Sequence, residues 1–223
     1  ALMGEAGIGK TTLWQAGVAA AERRSYHVLA CKPVQSETKL SYAALSDLLD
    51  EVADGTLPQI PGPQRRALEV ALLRSEPKGR PPDLRLISTA FLSVIRFLAS
   101  KAPVLIAVDD VQWLDRPSAR VLEFAIRRLG RSRAGALLTL RSEEPGVTPI
   151  TWIDSHSGMS RVKLGPLSLG AIHQILSSQW GEFLPRPALV RIVDESRGNP
   201  FFAIEIARGL REQGSLPPLS EPL

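Results

Sequence analysis

Gly4, Gly9, Lys10 and Thr11 stand in the pattern Gly-x-x-x-x-Gly-Lys-Thr within the stretch GEAGIGKTT. That spacing lets successive backbone N–H groups converge on phosphate oxygens while a lysine ammonium reaches the terminal phosphates. Gly4, Gly7 and Gly9 suit such a loop, because wrapping around phosphates calls for positive φ and close backbone approach. The chemistry indicated is the binding of a nucleoside triphosphate. The expected binding segment is Gly4, Glu5, Ala6, Gly7, Ile8, Gly9, Lys10, Thr11 and Thr12, with the Thr11 hydroxyl directed to Mg²⁺. A glycine-rich turn before an ordinary helix is the plainer alternative.

A second group of residues lies at a suitable distance. In APVLIAVDDVQWLD, the apolar run Val104–Val108 lacks alternation and ends in Asp109 and Asp110. Such a run fits a strand buried on both faces of a parallel sheet. An acid pair at its end is the Walker B pattern, in which the first acid holds Mg²⁺ together with the P-loop hydroxyl. Asp109 takes that role, and Asp110 is the candidate general base or water orienter. The bland alternative is two acids capping the next turn. Two linked motifs argue more strongly than one. A further strand, Ala136 to Leu140, ends in Arg141. Arg141 is either a sensor of the γ-phosphate, since ligands of open α/β sheets bind at the carboxyl ends of strands, or a surface ion-pair partner.

These groups need elements to hold them. The residues after the loop, TTLWQAGVAAAERR, are good helix formers, so a helix N-terminus is expected to face the bound anion. Only ALM precedes the loop, and the expectation is a chain cut within its first strand. SYHVLACKPVQSE reads as a strand and loop centred on Val28, Leu29 and Ala30. LSYAALSDLLDEVA carries Leu40, Ala44, Leu45, Leu48, Leu49 and Val52 at helical spacing, and QRRALEVALLRS does likewise. The Pro-rich LPQIPGPQ between them reads as a connector. Asp83 is expected to cap a helix with an apolar face through Leu86, Ala90, Val94, Phe97 and Leu98. Asp115 is expected to cap another, with Pro117 in its first turn and a stop at Gly130. Three more helical stretches follow Pro166 and Ser168. The predicted fold is an α/β P-loop domain over residues 1–160, with a parallel sheet flanked by helices, then a small all-helical lid over 161–213 and a linker over 214–223.

Bulk properties narrow the class. The 223 residues suffice for one α/β domain with an appendage. No uninterrupted apolar run approaches the ~20 residues that span a bilayer, so membrane insertion is not expected. The one cysteine, Cys31, rules out an internal disulfide or a cysteine-rich zinc site and is compatible with a reducing compartment. A cytoplasmic location is expected. The net charge of +4 is modest and spread along the chain, which fits a solvated surface better than a nucleic-acid footprint. His27, His156 and His173 lack ligand spacing.

Taken together, GEAGIGKTTLW, VLIAVDDVQWLD, LLTLRSEE and SRGNPFFAIEIARGL resemble the AAA-type ATPase domain of the STAND signalling NTPases. More narrowly, they resemble the ATP-binding domain of large LuxR-type, maltose-regulator-like transcription regulators, over nearly the whole chain. The resemblance implies ATP and ADP as ligands, with Lys10, Thr11, Asp109, Asp110 and Arg141 at the positions of the family's motif residues. It also implies that Pro200, in Gly198-Asn199-Pro200, packs on the adenine ring. The same three residues equally describe a glycine stop followed by an Asn-capped helix with Pro at its first position.

The function expected from this resemblance is a slowly hydrolysing ATP switch that self-associates when ATP binds and responds to an inducer or regulatory protein. DNA would be contacted only through a domain outside these residues, since no repeat period or recognition helix is detectable here. Alternatives are a turnover ATPase that remodels a protein partner, and the ATPase module of a nucleotide-cyclase-linked signalling protein. A remodeller needs an arginine from a neighbouring subunit. Arg127 to Arg133 holds candidates, although a basic helix end that complements the macrodipole explains them as well. A small-molecule kinase fits less well, given the double acid and the lack of a recognisable acceptor segment.

Overall fold

The computed structural model describes residues 1–77, 79, 81–141, 158–181 and 184–212. His156, the residues after Arg141 in LLTLRSEE and the expected linker at 214–223 lie outside the described residues. Five strands form one sheet in the order β2-β3-β4-β1-β5. They are β1 (Leu2–Gly4), β2 (His27–Cys31), β3 (Val104–Val108), β4 (Ala134–Arg141) and β5 (Val162–Lys163). β2 runs parallel to β3, and β3 parallel to β4. Val104, Ile106, Ala107 and Val108 of β3 have no solvent exposure. That burial explains their unbroken apolar run, because a strand covered on both faces has no side on which a polar residue is favourable. The register pairs Val108 with Cys31 on one side and with Leu138 on the other. Residues just past these positions therefore gather at one edge of the sheet.

The helices between the strands follow their local signals. α1 (Lys10–Arg23) begins directly after the glycine loop. α5 (Leu84–Lys101) is capped by Asp83, whose carboxylate accepts the Arg85 N–H at 2.6 Å. α6 (Arg116–Ile126) is capped by Asp115, which accepts the Ser118 N–H at 2.9 Å, and Pro117 sits in the first turn, where no N–H is needed.

The single helix expected over LSYAALSDLLDEVA is instead two, α2 (Ala43–Leu49) and a four-residue α3 (Ala53–Thr56). Tyr42, at φ 65° immediately before α2, sets the start of that helix. Leu40 falls outside it and is 58% exposed, so it is not part of the buried face. The Pro-rich connector forms a short 3₁₀ turn at Leu57–Gln59 and supplies the start of α4 (Gly62–Ala71).

By packing, the chain divides into two compact units. The first comprises Ala1–Met3 and Thr11–Val162, and the second comprises Gly4–Lys10 together with the chain from Lys163 onward. The core of the first is built on Leu29, Leu45, Leu68, Phe91, Ile95 and Leu122, all nearly or fully buried. The second contains α7 (Leu169–Trp180), α8 (Arg186–Ser196) and α9 (Pro200–Glu212). Ile172, Leu176, Leu189, Ile192, Ala203 and Ala207 from these three helices form its core. Ser168 caps α7 through the Ala171 N–H at 3.3 Å, and Gly181 ends that helix at φ 68°. The glycine loop belongs by its contacts to this helical unit, although α1 to α6 and β2 to β4 lie between the two in the chain. No helix among the described residues is long and apolar enough to cross a membrane.

Candidate functional site

The glycine loop is held through its carbonyls. The Lys10 side chain is 6% exposed and donates from Nζ to Gly4 O at 3.0 Å and to Glu5 O at 2.8 Å. The next carbonyl, Ala6 O, accepts from Asn199 Nδ2 at 2.9 Å, and Gly7 O accepts from the Phe201 N–H at 3.4 Å. Four consecutive carbonyls are thus turned toward protein donors. In a planar trans peptide the N–H lies on the edge opposite the C=O, so pinning the Gly4, Glu5 and Ala6 carbonyls aims the amides of Glu5, Ala6 and Gly7 the other way, while the Ile8 N–H turns back to Glu5 O at 3.4 Å. That arrangement of amides is what an anion seat requires.

Two glycines have distinct reasons to be glycine. Gly7 lies at φ 77°, and a Cβ there would come within 2.7 Å of Phe201 Cβ and 3.0 Å of Asn199 Oδ1. Gly9 lies at φ 100°, and a Cβ there would meet no atom within 4 Å, so its backbone angle alone excludes other residues and that side of the loop stays open. The loop therefore fits a phosphate chain. Thr11 and Thr12 are exposed in the first turn of α1.

The acid pair is organised within the first unit. Asp109 follows β3, is 5% exposed and donates its N–H to Cys31 O at 3.1 Å. Its Oδ1 accepts the Thr139 hydroxyl at 2.6 Å, and the Thr139 oxygen in turn accepts the Asp110 N–H at 2.7 Å. Thr139 stands one residue beyond the Val108–Leu138 register pair, which is why a residue thirty positions later in the chain meets Asp109.

Asp110 has φ 51° and ψ 57°, a left-handed conformation that few non-glycine residues adopt. Its Oδ1 accepts from Gln112 Nε2 at 2.8 Å, and Gln112 Oε1 accepts the Arg141 N–H at 3.4 Å. The Arg141 guanidinium lies 4.0 Å from Asp110 Oδ1 and 5.8 Å from the Trp113 ring centroid. Asp109, Asp110 and Arg141 are thus brought together, with the ion-pair reading of Arg141 the one this geometry displays.

Other expected site residues are placed as follows. Pro200 is buried at the first position of α9, and the preceding Asn199 accepts the Phe201 and Phe202 N–H groups at 3.1 and 3.5 Å. The Asn-cap reading of this motif is therefore realised. In the Arg127–Arg133 segment, Arg127 pairs with Glu123 at 3.2 Å, Arg128 donates to Phe124 O at 3.2 Å and Arg133 donates to Ala99 O at 3.4 Å. Bonds from these side chains to helix-end carbonyls are those of macrodipole partners. A cavity of about 460 Å³ beside α4, lined by Pro63, Arg66, Val70, Pro82 and Leu86 among others, shares none of the motif residues.

Asp109 and Thr11 offer hard oxygen donors of the kind Mg²⁺ takes. Among the described residues, no group of three or more His, Cys, Asp or Glu side chains is arranged to hold a metal ion. A cation held by these donors would complete its coordination with phosphate and water, as Mg²⁺ does.

Thr139 and Gln112 carry no role in the sequence reading, and Asn199 carries only that of a cap. Thr139 was discernible as the lone hydroxyl in the apolar strand ALLTL. Gln112 and Asn199 sit inside recognisable motifs, but their partners Asp110, Arg141 and Ala6 are set by local geometry or lie far along the chain.

A family model described as AAA ATPase domain matches residues 1–140. No curated protein sequence matches the chain significantly. Among solved structures, AMPPCP-bound DnaA from Aquifex aeolicus aligns with a TM-score of 0.55 at 15% identity, covering 96% of this chain and 54% of that one. The ORC2 protein from Aeropyrum pernix, solved as ADPNP and ADP complexes, aligns with a TM-score of 0.50 at 18% identity, covering 96% of this chain and 57% of that one. At such identities these likenesses speak for the fold. The chain spans little more than half the length of either structure.

Proposed function

The chain belongs to the AAA ATPase domain family, and from that premise we propose that it binds ATP and ADP with Mg²⁺ and hydrolyses ATP slowly, as the nucleotide switch of a LuxR-type transcription regulator. The observation that carries nucleotide binding is the loop itself: four carbonyls pinned to protein donors, Lys10 held at its base and open space beside Gly9. In this reading the amides of Glu5, Ala6, Gly7, Ile8 and Gly9 and the Lys10 ammonium bind the phosphates, joined by Thr12, while Thr11 and Asp109 hold Mg²⁺. Bound Mg²⁺ would neutralise charge on the β- and γ-phosphate oxygens.

Asp110 accepts a proton from, or orients, the attacking water. Its strained backbone fits that role, because such conformations persist where surrounding contacts over-determine them. Arg141 reports on the γ-phosphate by exchanging its partner Asp110 for the ligand, and Pro200 contacts the adenine. The domain limits 1–160 and 161–213 belong to the same proposal, as do self-association on ATP binding, an inducer or regulatory protein as partner, a cytoplasmic setting and DNA contact through a further domain. A switch works by differential affinity, in which ATP and ADP favour different arrangements of the same chain.

Calorimetric titration with ATP and ADP, paired with phosphate release, tests the reading. Lys10→Ala should abolish binding. Asp110→Asn should bind like the parent and turn over on the order of a hundred-fold more slowly, within the span ascribed to general bases. Turnover of the parent chain far below the ~10 s⁻¹ enzyme median supports a switch. Absence of ATP uptake by the parent chain, or full turnover in Asp110→Asn, rejects the assignment.

A further inference from the structure

We propose that Asn199 is a positioning residue that clamps the phosphate loop from the N-terminus of α9, so that the loop and the helical unit act as one piece. The inference rests on the nucleotide-binding reading only for its ligand and stands on contacts within one compact unit. Asn199 is 4% exposed and uses both ends of its amide. Oδ1 accepts the Phe201 and Phe202 N–H groups, and Nδ2 donates to Ala6 O at 2.9 Å, a partner 193 residues away in the chain.

The chemistry leaves one orientation for this amide. Backbone N–H groups require the oxygen, and a carbonyl requires the NH₂. Asp and Ser serve as helix caps as well as Asn does. Asp has no hydrogen to give a carbonyl when ionised, and the Ser side chain is one atom shorter. Capping by itself therefore leaves the choice of residue open, whereas capping together with a bond to Ala6 O selects Asn.

Two further contacts fasten the same place. The Phe201 N–H is shared between Asn199 Oδ1 at 3.1 Å and Gly7 O at 3.4 Å. Gly7 also lacks the Cβ that would collide with Phe201 Cβ at 2.7 Å. Because Ala6 O and Gly7 O set two successive peptide planes of the loop, loss of the Nδ2 bond frees a plane whose N–H belongs to the anion seat. The helical unit thereby controls how ready the loop is to take phosphate. By linkage, a phosphate bound at the loop tightens α9 in return.

Asn199→Asp and Asn199→Ser separate the clamp from the cap in the 223-residue chain. Hydrogen exchange of the nucleotide-free protein should show α9 amides protected as in the parent, while amides of residues 5–11 exchange about five-fold faster in both variants. The ADP dissociation constant should rise about five-fold in the same variants, the worth of one hydrogen bond. Parental loop exchange in Asn199→Asp overturns the clamp. Loss of α9 protection in both variants also overturns it, because Asn199 would then be a structural cap. If the parent chain takes up no ADP, the nucleotide reading fails on its own, and the loop exchange still decides the clamp.

Discussion

The Thr139 hydroxyl donates to Asp109 Oδ1 at 2.6 Å and closes a chain that continues to the Asp110 N–H at 2.7 Å. One side chain on β4 therefore governs both acids that follow β3. It orients the first by donating to its carboxylate and holds the second in its left-handed conformation by accepting from its backbone. Thr139 is fully buried, so water does not stand in for either bond.

Thr139→Val keeps the shape and removes the hydroxyl. It leaves the Asp110 N–H and the Asp109 carboxylate each without this partner, at a cost of about 1–3 kcal/mol for the buried donor. Urea unfolding should register that loss, and phosphate release should fall by at least about ten-fold while ADP binding changes little. Unchanged turnover in a folded variant removes Thr139 from the arrangement of the acids.

Asp115 does more than cap α6. Its Oδ1 accepts the Tyr42 N–H at 2.8 Å as well as the Ser118 N–H at 2.9 Å, and Oδ2 accepts the Ala44 N–H at 3.2 Å. The residue is 2% exposed, so these donors have little access to replacement water. Asp115→Ala should destabilise the protein by about 3 kcal/mol or more, well beyond the ~1 kcal/mol typical of a lost cap. Chemical denaturation measures this, and a loss below about 1 kcal/mol contradicts the double use of the carboxylate.

Asp47 should make stability pH-dependent. Burial, and then the carboxylates of Glu37, Asp50 and Asp115, hold its carboxyl above the ordinary range. The folded state thus binds the proton more tightly than the unfolded one. The stabilising contribution is complete below the unfolded value of 3.8 and is lost as pH rises through the higher folded value. Asp47→Asn should therefore be more stable than the parent at pH 7, by less than about 1 kcal/mol because water screens an exposed carboxylate. The gain should vanish as pH falls toward the unfolded value. Thermal unfolding across that range checks the sign, and a variant less stable than the parent at neutral pH refutes it.

Cys31 should be inert in the folded protein. Burial, followed by the charges of Asp47 and Asp115, pushes its thiol far up, and the residue is 5% exposed. Alkylation of the native chain should proceed on the order of a hundred-fold more slowly than in denaturant, because the thiolate is the reactive form and access requires opening. Rapid native labelling would show that the end of β2 opens readily.

Much of this was legible from short stretches of chain. The P-loop spacing, the unbroken strand before the acid pair and the caps Asp83, Asp115 and Ser168 are local rules, each satisfied by residues within a few positions of one another. The Gly-Asn-Pro motif was legible as an Asn cap for the same reason. The break between α2 and α3 was not, because helical spacing of apolar residues continues from Leu49 to Val52 while the helical backbone does not.

Packing alone determined the rest. Thr139 meets Asp109 only because β3 and β4 run parallel in one particular register, and a slip of one residue would turn the hydroxyl to the opposite face. Asn199 meets Ala6 O across 193 residues, and Asp115 meets Tyr42 across 73. Propensity and periodicity act over a turn or a strand, so they specify which elements form. The partner of a side-chain oxygen or amide is decided by which elements are brought side by side, and that depends on burial summed over the whole core.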